Sequence, residues 1–235
     1  MAHLTPSAVP IVALDVPGAA AALALVDELG DLCRFYKVGL ELFTADGPQI
    51  VRDIRDRGAD LFLDLKLHDI PNTVRGAARS AARHGARLLT VHASGGEAML
   101  AAAVDGAGPD CGILGVTVLT SHDAGGLARS WGRDAVDVRE EVLRLAADTR
   151  RAGAHGIVCS GAEVAAVREA HGDALAPLVP GVRFAGGEAH DQSRVVTPRV
   201  AVESGARYLV LGRAVTAAPD RREAMRRALE EIAPA

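Results

Sequence analysis

Eight short apolar runs punctuate the chain, and the stretches between them carry hydrophobic residues at helical spacing. The runs are PIVALDV at 10–16, RFYKVGL at 34–40, DLFLDLKL at 60–67 and ARLLTVHA at 86–93, then CGILGVTVL at 111–119, GIVCS at 156–160, PLVPGV at 177–182 and RYLVLG at 207–212. Short, nearly continuous apolar segments of this kind are the signature of strands buried on both faces of a parallel sheet. Val74, Ala77, Ala78 and Ala81 follow the third run at helical spacing, and Val138, Val142, Leu145 and Ala146 precede the sixth. The punctuation agrees. Pro71 and Pro198 stand where a first helical turn tolerates proline, and Gly85, Gly153 and Gly205 stand where a helix can end in a left-handed cap.

Strict alternation of strand and helix makes neighbouring strands parallel, because a parallel pair cannot be closed by a tight hairpin and needs a right-handed crossover. Eight such units predict an α/β fold, the closed (β/α)8 or TIM barrel, and the 235 residues lie near the roughly 250 usual for one. A doubly wound open sheet would have fewer strands and a glycine fingerprint after the first, where this chain reads DVPGAAAA. No linker or composition shift marks a second domain, so residues 1–235 are expected to form a single one. One longer connection, SHDAGGLARSWGRDA at 121–135, has the glycines and polar residues of an active-site loop.

Composition narrows the partners. Hydrophobic residues at 49%, charged at 24% and aromatic at 3% fit a packed core rather than a disordered chain. A net charge of −4, with no arginines interleaved among aromatics, argues against nucleic acid and points to a small-molecule ligand. Cys33, Cys111 and Cys159 are an odd, scattered set without zinc-site spacing, so buried, reduced thiols are expected. No run of about 18 apolar residues could cross a membrane, and the first residues lack the basic region and apolar core of a signal peptide, so a cytoplasmic location is expected.

Within this rhythm the segment DLKLHDIPNT at 64–73 stands out. Strand side chains alternate faces, so Leu63, Leu65 and Leu67 point one way while Asp64, Lys66 and His68 point the other, with Asp69 directly after. Chemistry in an eight-stranded barrel collects at the carboxyl ends of its strands. Those ends offer Asp15, Lys37, Asp64, Lys66, His92, Thr120, Cys159 or Ser160, Arg183, and Gly212 with Arg213. Asp15, before Pro17, fits a helix cap as well as a ligand contact. Lys37 on a buried strand needs a counterion or a route to water. His92 reads as a hydrogen-bonded core histidine, and Cys159 and Ser160 as packing residues, since no base is identified beside them. PGVR at 180–183 and GRAVT at 212–216 follow the last two strands, where barrels often bind phosphate; Arg213 offers a forked guanidinium and Gly212 a close backbone approach. Either arginine alone could be a surface residue.

Taken together, these motifs resemble the orotidine 5′-phosphate decarboxylases, which make UMP from orotidine monophosphate. The resemblance spans nearly the whole chain: Asp15, Lys37 of YKVGLELF, the Asp64, Lys66 and Asp69 array, Thr120 of VTVLTS, PGVR, DQSRVVTP at 191–198 and LGRAVT at 211–216. The Asp-x-Lys-x-x-Asp pattern is shared with related phosphosugar decarboxylases; its combination with DQSRVVTP and GRAVT is far more specific. The resemblance implies a homodimer with shared active sites and no metal or organic cofactor. In it Lys37, Asp64 and Lys66 form an alternating charge network with the partner's Asp69. It further implies that Asp15, Lys37 and the partner's Thr73 hold ribose hydroxyls, that the partner's Ile70 lines the pyrimidine pocket, and that Thr120 and Ser121 contact the nucleotide. Arg183, Gln192, Gly212 and Arg213 would surround phosphate beneath a lid at FAGGEAHD, with Lys66 giving a proton to C6. The alternatives are a metal-dependent decarboxylase of a keto-sugar phosphate and a catalytically silent barrel that binds a phosphorylated metabolite or a protein.

Overall fold

Each apolar run becomes a strand in the computed structural model of the chain, which describes residues 8–185 and 196–233. The strands are β1 (Val9–Ala13), β2 (Phe35–Gly39), β3 (Asp60–Leu67), β4 (Leu88–His92), β5 (Gly112–Val116), β6 (Gly156–Val158), β7 (Ala176–Val179) and β8 (Tyr208–Leu211). All pair in parallel in sequence order, and β8 closes on β1 with Val9 opposite Tyr208 and Val12 opposite Leu211. The sheet is therefore a closed barrel rather than an open doubly wound one. Helices connect the strands as the punctuation requires: Pro71 and Pro198 open the helices Pro71–Arg83 and Pro198–Glu203, while Gly85, Gly153 and Gly205 hold positive φ just past helix ends.

The barrel encloses Ile11, Ala13, Phe62, Leu88, Leu114, Leu178 and Val210. Outside it, Val12, Val38, Leu61, Leu63 and Leu89 pack against Leu25, Ile50, Val74, Ala78, Leu100 and Leu145 of the surrounding helices. Burying each such leucine, isoleucine or valine contributes about 1.5–3 kcal/mol. That packing, more than propensity, holds helices as short as these. Along the inward face the period of two runs Ala13 to Asp15, Phe35 to Lys37 to Gly39, Phe62 to Asp64 and Leu88 to Thr90 to His92, so the interior turns from apolar to polar toward the carboxyl ends.

Two expectations shift. The 121–135 connection contains the helix Ala124–Ser130: Asp123 accepts a hydrogen bond from the Gly126 N–H at 2.6 Å, and Leu127 and Ala128 are buried, which outweighs the two glycines in its first turn. β5 ends at Val116, leaving Thr120 in the following connection rather than at the strand end itself. Cys33, Cys111 and Cys159 are buried and form no disulfide. Among the described residues no helix is long and apolar enough to cross a membrane.

Candidate active site

The polar carboxyl ends of the strands enclose a cavity of about 640 Å³. Asp15, Lys37, Asp64 and Lys66 lie on one wall; Thr120 and Ser121 line it, and so do Arg183, Gly212 and Arg213. Lys37 is 7% exposed, and its ammonium lies 2.8 Å from Asp15 Oδ1 and 3.6 Å from Asp64 Oδ2. The Lys66 ammonium stands 2.8 Å from Asp64 Oδ1. Four charges therefore alternate in sign along the wall, so that each buried ion has an opposite neighbour and the desolvation penalty of a lone charge is avoided. Burial disfavours the Asp64 carboxylate, but the two ammonium charges and the hydrogen bonds from Lys66 and Thr90 outweigh it and hold its carboxyl below the usual range. Asp15 makes this ion pair and is not the cap of the first helix, whose cap position is Gly18.

Strict alternation does not survive through β3. Leu63 pairs with Leu89, yet Leu67 pairs with Val91, so three residues of β3 stand opposite Thr90 alone. The surplus is absorbed at Lys66, the one non-glycine residue with positive φ among the described residues, at φ 49°. Such a conformation costs about 1–3 kcal/mol and persists only where its surroundings impose it. Lys66 still reaches the cavity beside Asp64, but the expected continuation of the same face to His68 fails: His68 lies beyond the strand, outside the cavity lining, with its ring 5.5 Å from that of His92. Burial, the neighbouring His68 and Lys66 push the pKa of His92 down, with Asp64 opposing.

The lining contributed after β7 and β8 is cationic. Arg183 is 8% exposed, its Nη1 donates to Val182 O at 2.8 Å, and its backbone N–H donates to Val196 O at 2.9 Å. Its buried Nε has no hydrogen-bond partner among the described residues. Burial and the nearby Arg213 both lower its pKa, a cost that an anion between the two guanidiniums would offset. Gly181, at φ 71°, turns the chain beside Arg183, and Gly212 precedes the single turn Arg213–Thr216.

Three residues, expected to serve the partner's site rather than this one, do not line this cavity. Asp69, Ile70 and Thr73 are exposed at the start of the helix Pro71–Arg83, with Asp69 Oδ1 accepting the Ile70 N–H at 2.6 Å and Ile70 67% exposed. Gln192 lies outside the described residues, as does most of the expected lid. Among the described residues no group of three or more His, Cys, Asp or Glu could hold a metal ion. The sequence reading missed Gly39, where a Cβ would stand 2.9 Å from Lys37 Nζ and 3.1 Å from Asp15 Oδ1. It also missed Thr90. Neither carries a local signal, since both matter through what the barrel brings beside them.

The sequence model described as the orotidine 5′-phosphate decarboxylase / HUMPS family matches residues 9–228. The orotidine 5′-phosphate decarboxylase of Moorella thermoacetica is 48% identical over 230 residues, covering 94% of this chain and 91% of the relative. That of Anaeromyxobacter sp. strain K is 54% identical over 212 residues, covering 88% and 91%. Among solved structures, the orotidine 5′-phosphate decarboxylase of Lactobacillus acidophilus superposes with a TM-score of 0.85 at 35% identity, covering 96% of this chain and 99% of that one. The enzyme of Pyrococcus horikoshii OT3 gives a TM-score of 0.77 at 26% identity, covering 95% and 98%.

Proposed function

The chain belongs to the orotidine 5′-phosphate decarboxylase / HUMPS family, and from that membership we propose a cofactor-free decarboxylation of orotidine 5′-monophosphate to UMP, in pyrimidine biosynthesis, with Lys66 as the proton donor. The observation that carries this reading is the alternating Asp15, Lys37, Asp64 and Lys66 wall lining one cavity together with Arg183 and Arg213. Relatives at 48% and 54% identity that carry the decarboxylase name support this member of the family over a keto-sugar phosphate enzyme.

Loss of carbon dioxide breaks the bond between C6 and the carboxylate and leaves the electron pair on C6, in the ring plane, where the π system cannot spread it. Stabilisation must then be electrostatic, and a preorganised ammonium at C6 supplies it. Lys66 transfers its proton to C6 and recovers one from water. Asp64 aligns Lys66 and repels the departing carboxylate. Arg183, Arg213, the Gly212 backbone and Gln192 take the phosphate, whose binding energy organises the reacting end. Asp15, Lys37 and the partner's Thr73 take the ribose, with Thr120 and Ser121 on the nucleotide and the Ser121 hydroxyl on the pyrimidine edge. The exposure of Asp69, Ile70 and Thr73 supports a homodimer in which the partner's Asp69 extends the charge array and the partner's Ile70 closes the pyrimidine pocket. In this reading residues 1–235 act as one catalytic barrel in the cytoplasm.

The test is a metal-free assay that follows the loss of orotidine monophosphate absorbance and the appearance of UMP. Turnover that persists in EDTA supports the reading. Absence of UMP, or turnover abolished by the chelator, overturns it.

A further inference from the structure

Thr90 is fully buried on the inward face of β4, opposite the surplus residues of β3, and it does not line the cavity. Its hydroxyl makes two bonds of opposite sense. The oxygen accepts the backbone N–H of Lys66 at 2.9 Å, and the hydroxyl donates to Asp64 Oδ1 at 3.0 Å. The same Asp64 oxygen receives the Lys66 ammonium at 2.8 Å. A closed ring results: Lys66 N–H to Thr90, Thr90 to Asp64, and Asp64 to the Lys66 side chain.

We propose that Thr90 is a positioning residue for the reacting ammonium, clamping the β3 bulge so that Lys66 is held in its left-handed conformation with Asp64 fixed beside it. The inference rests on the decarboxylase reading for its effect on rate, but the clamp itself is a statement about the fold. A surplus in one strand leaves an N–H without a ladder partner, and a buried N–H must find another. Only a side chain that both accepts and donates can satisfy that N–H while orienting the carboxylate, and a β-branched threonine has few rotamers in which to do anything else. The Thr90 hydrogen bond also helps keep the Asp64 carboxylate charged.

Three measurements on Thr90→Val and Thr90→Ser test this: steady-state kinetics on orotidine monophosphate, thermal melting, and carbon NMR titration of the Asp64 carboxyl. Valine keeps the shape and loses both bonds, so kcat should fall about 10- to 100-fold while KM moves no more than about threefold. The Asp64 pKa should rise in the same variant, and serine should bring both quantities back close to wild type. A purely structural threonine would lower the melting temperature and leave kcat and the Asp64 titration of the folded protein unchanged, which overturns the proposal. Serine as impaired as valine overturns it too. Should the valine variant fail to fold, Thr90→Ala against Thr90→Ser makes the same comparison. If the wild type does not turn over orotidine monophosphate, the decarboxylase reading falls, while the carboxyl titration still decides the role of Thr90.

Discussion

Replacing Lys66 with alanine removes the ammonium that stands 2.8 Å from Asp64 Oδ1. The fold has the means to survive the change. Asp64 keeps Lys37 at 3.6 Å from Oδ2 and the Thr90 hydroxyl at 3.0 Å from Oδ1, and the lost side chain is 31% exposed. The stability cost is therefore on the order of 1–3 kcal/mol, the worth of one hydrogen bond to a charge, which a domain of ordinary stability tolerates. The chemical cost is larger. Proton donation by a positioned acid contributes about 10²–10⁴ in rate, and a preorganised charge at the developing anion about 10²–10³, so removing both should lower kcat by roughly 10⁴–10⁷. Lys66→Arg separates the two terms: it restores a charge that cannot give up its proton, so any recovery should stop at the electrostatic share. Turnover is read by substrate absorbance in metal-free buffer, with UMP affinity measured alongside by calorimetry to show that the cavity is intact. A folded, UMP-binding alanine variant with kcat/KM within tenfold of wild type would refute the assignment of Lys66.

A substrate that lacks the phosphate should lose about 10²–10⁴ in kcat/KM, the worth of two charge-assisted contacts to Arg183 and Arg213; an unchanged value would uncouple the cationic wall from the chemistry. Gly39→Ala forces the Lys37 ammonium away from a Cβ that would otherwise stand 2.9 Å from it, so kcat/KM should fall about 10- to 100-fold with little change in melting temperature, and wild-type kinetics would count against this wall. Acid should destabilise the protein in two stages. His92 is held below its ordinary 6.5, so the native state sheds a proton the unfolded chain keeps, and stability declines as pH falls from about 6.5 toward the lowered value. The contribution of Asp64 is complete above its ordinary 3.8 and is lost at lower pH, through its depressed folded value. Melting temperature against pH reads both stages; a His92→Gln curve that superimposes on wild type as the pH falls below 6.5 would remove His92 from the first.

The barrel was legible because its strands are local objects: DLFLDLKL became β3 over the same residues, and the glycine and proline stops fell at helix ends. The charged wall was legible for the same reason, since period two puts Asp15, Lys37 and Asp64 inward once the strands are placed. The bulge was not. It depends on how many residues β4 sets between Leu89 and Val91, which nothing inside DLKLHDIPNT encodes. Thr90 consequently looked like one more strand threonine. Gly39 was hidden similarly, because its missing side chain matters only through Lys37 and Asp15 beside it. In the 121–135 connection the glycines suggested irregular chain, while the cap at Asp123 and the burial of Leu127 and Ala128 made a helix.

The two walls of the cavity differ in electrical character. Asp15, Lys37, Asp64 and Lys66 sum to zero, whereas the connections after β7 and β8 bring the like charges of Arg183 and Arg213 close enough that Arg213 lowers the pKa of Arg183. A long ligand with an anion at one end thus meets a keyed slot: reversing it end for end would set that anion against Asp15 and Asp64 and away from the guanidiniums of Arg183 and Arg213. The charges lining the cavity thus favour one orientation of such a ligand ahead of any contact at its reactive end.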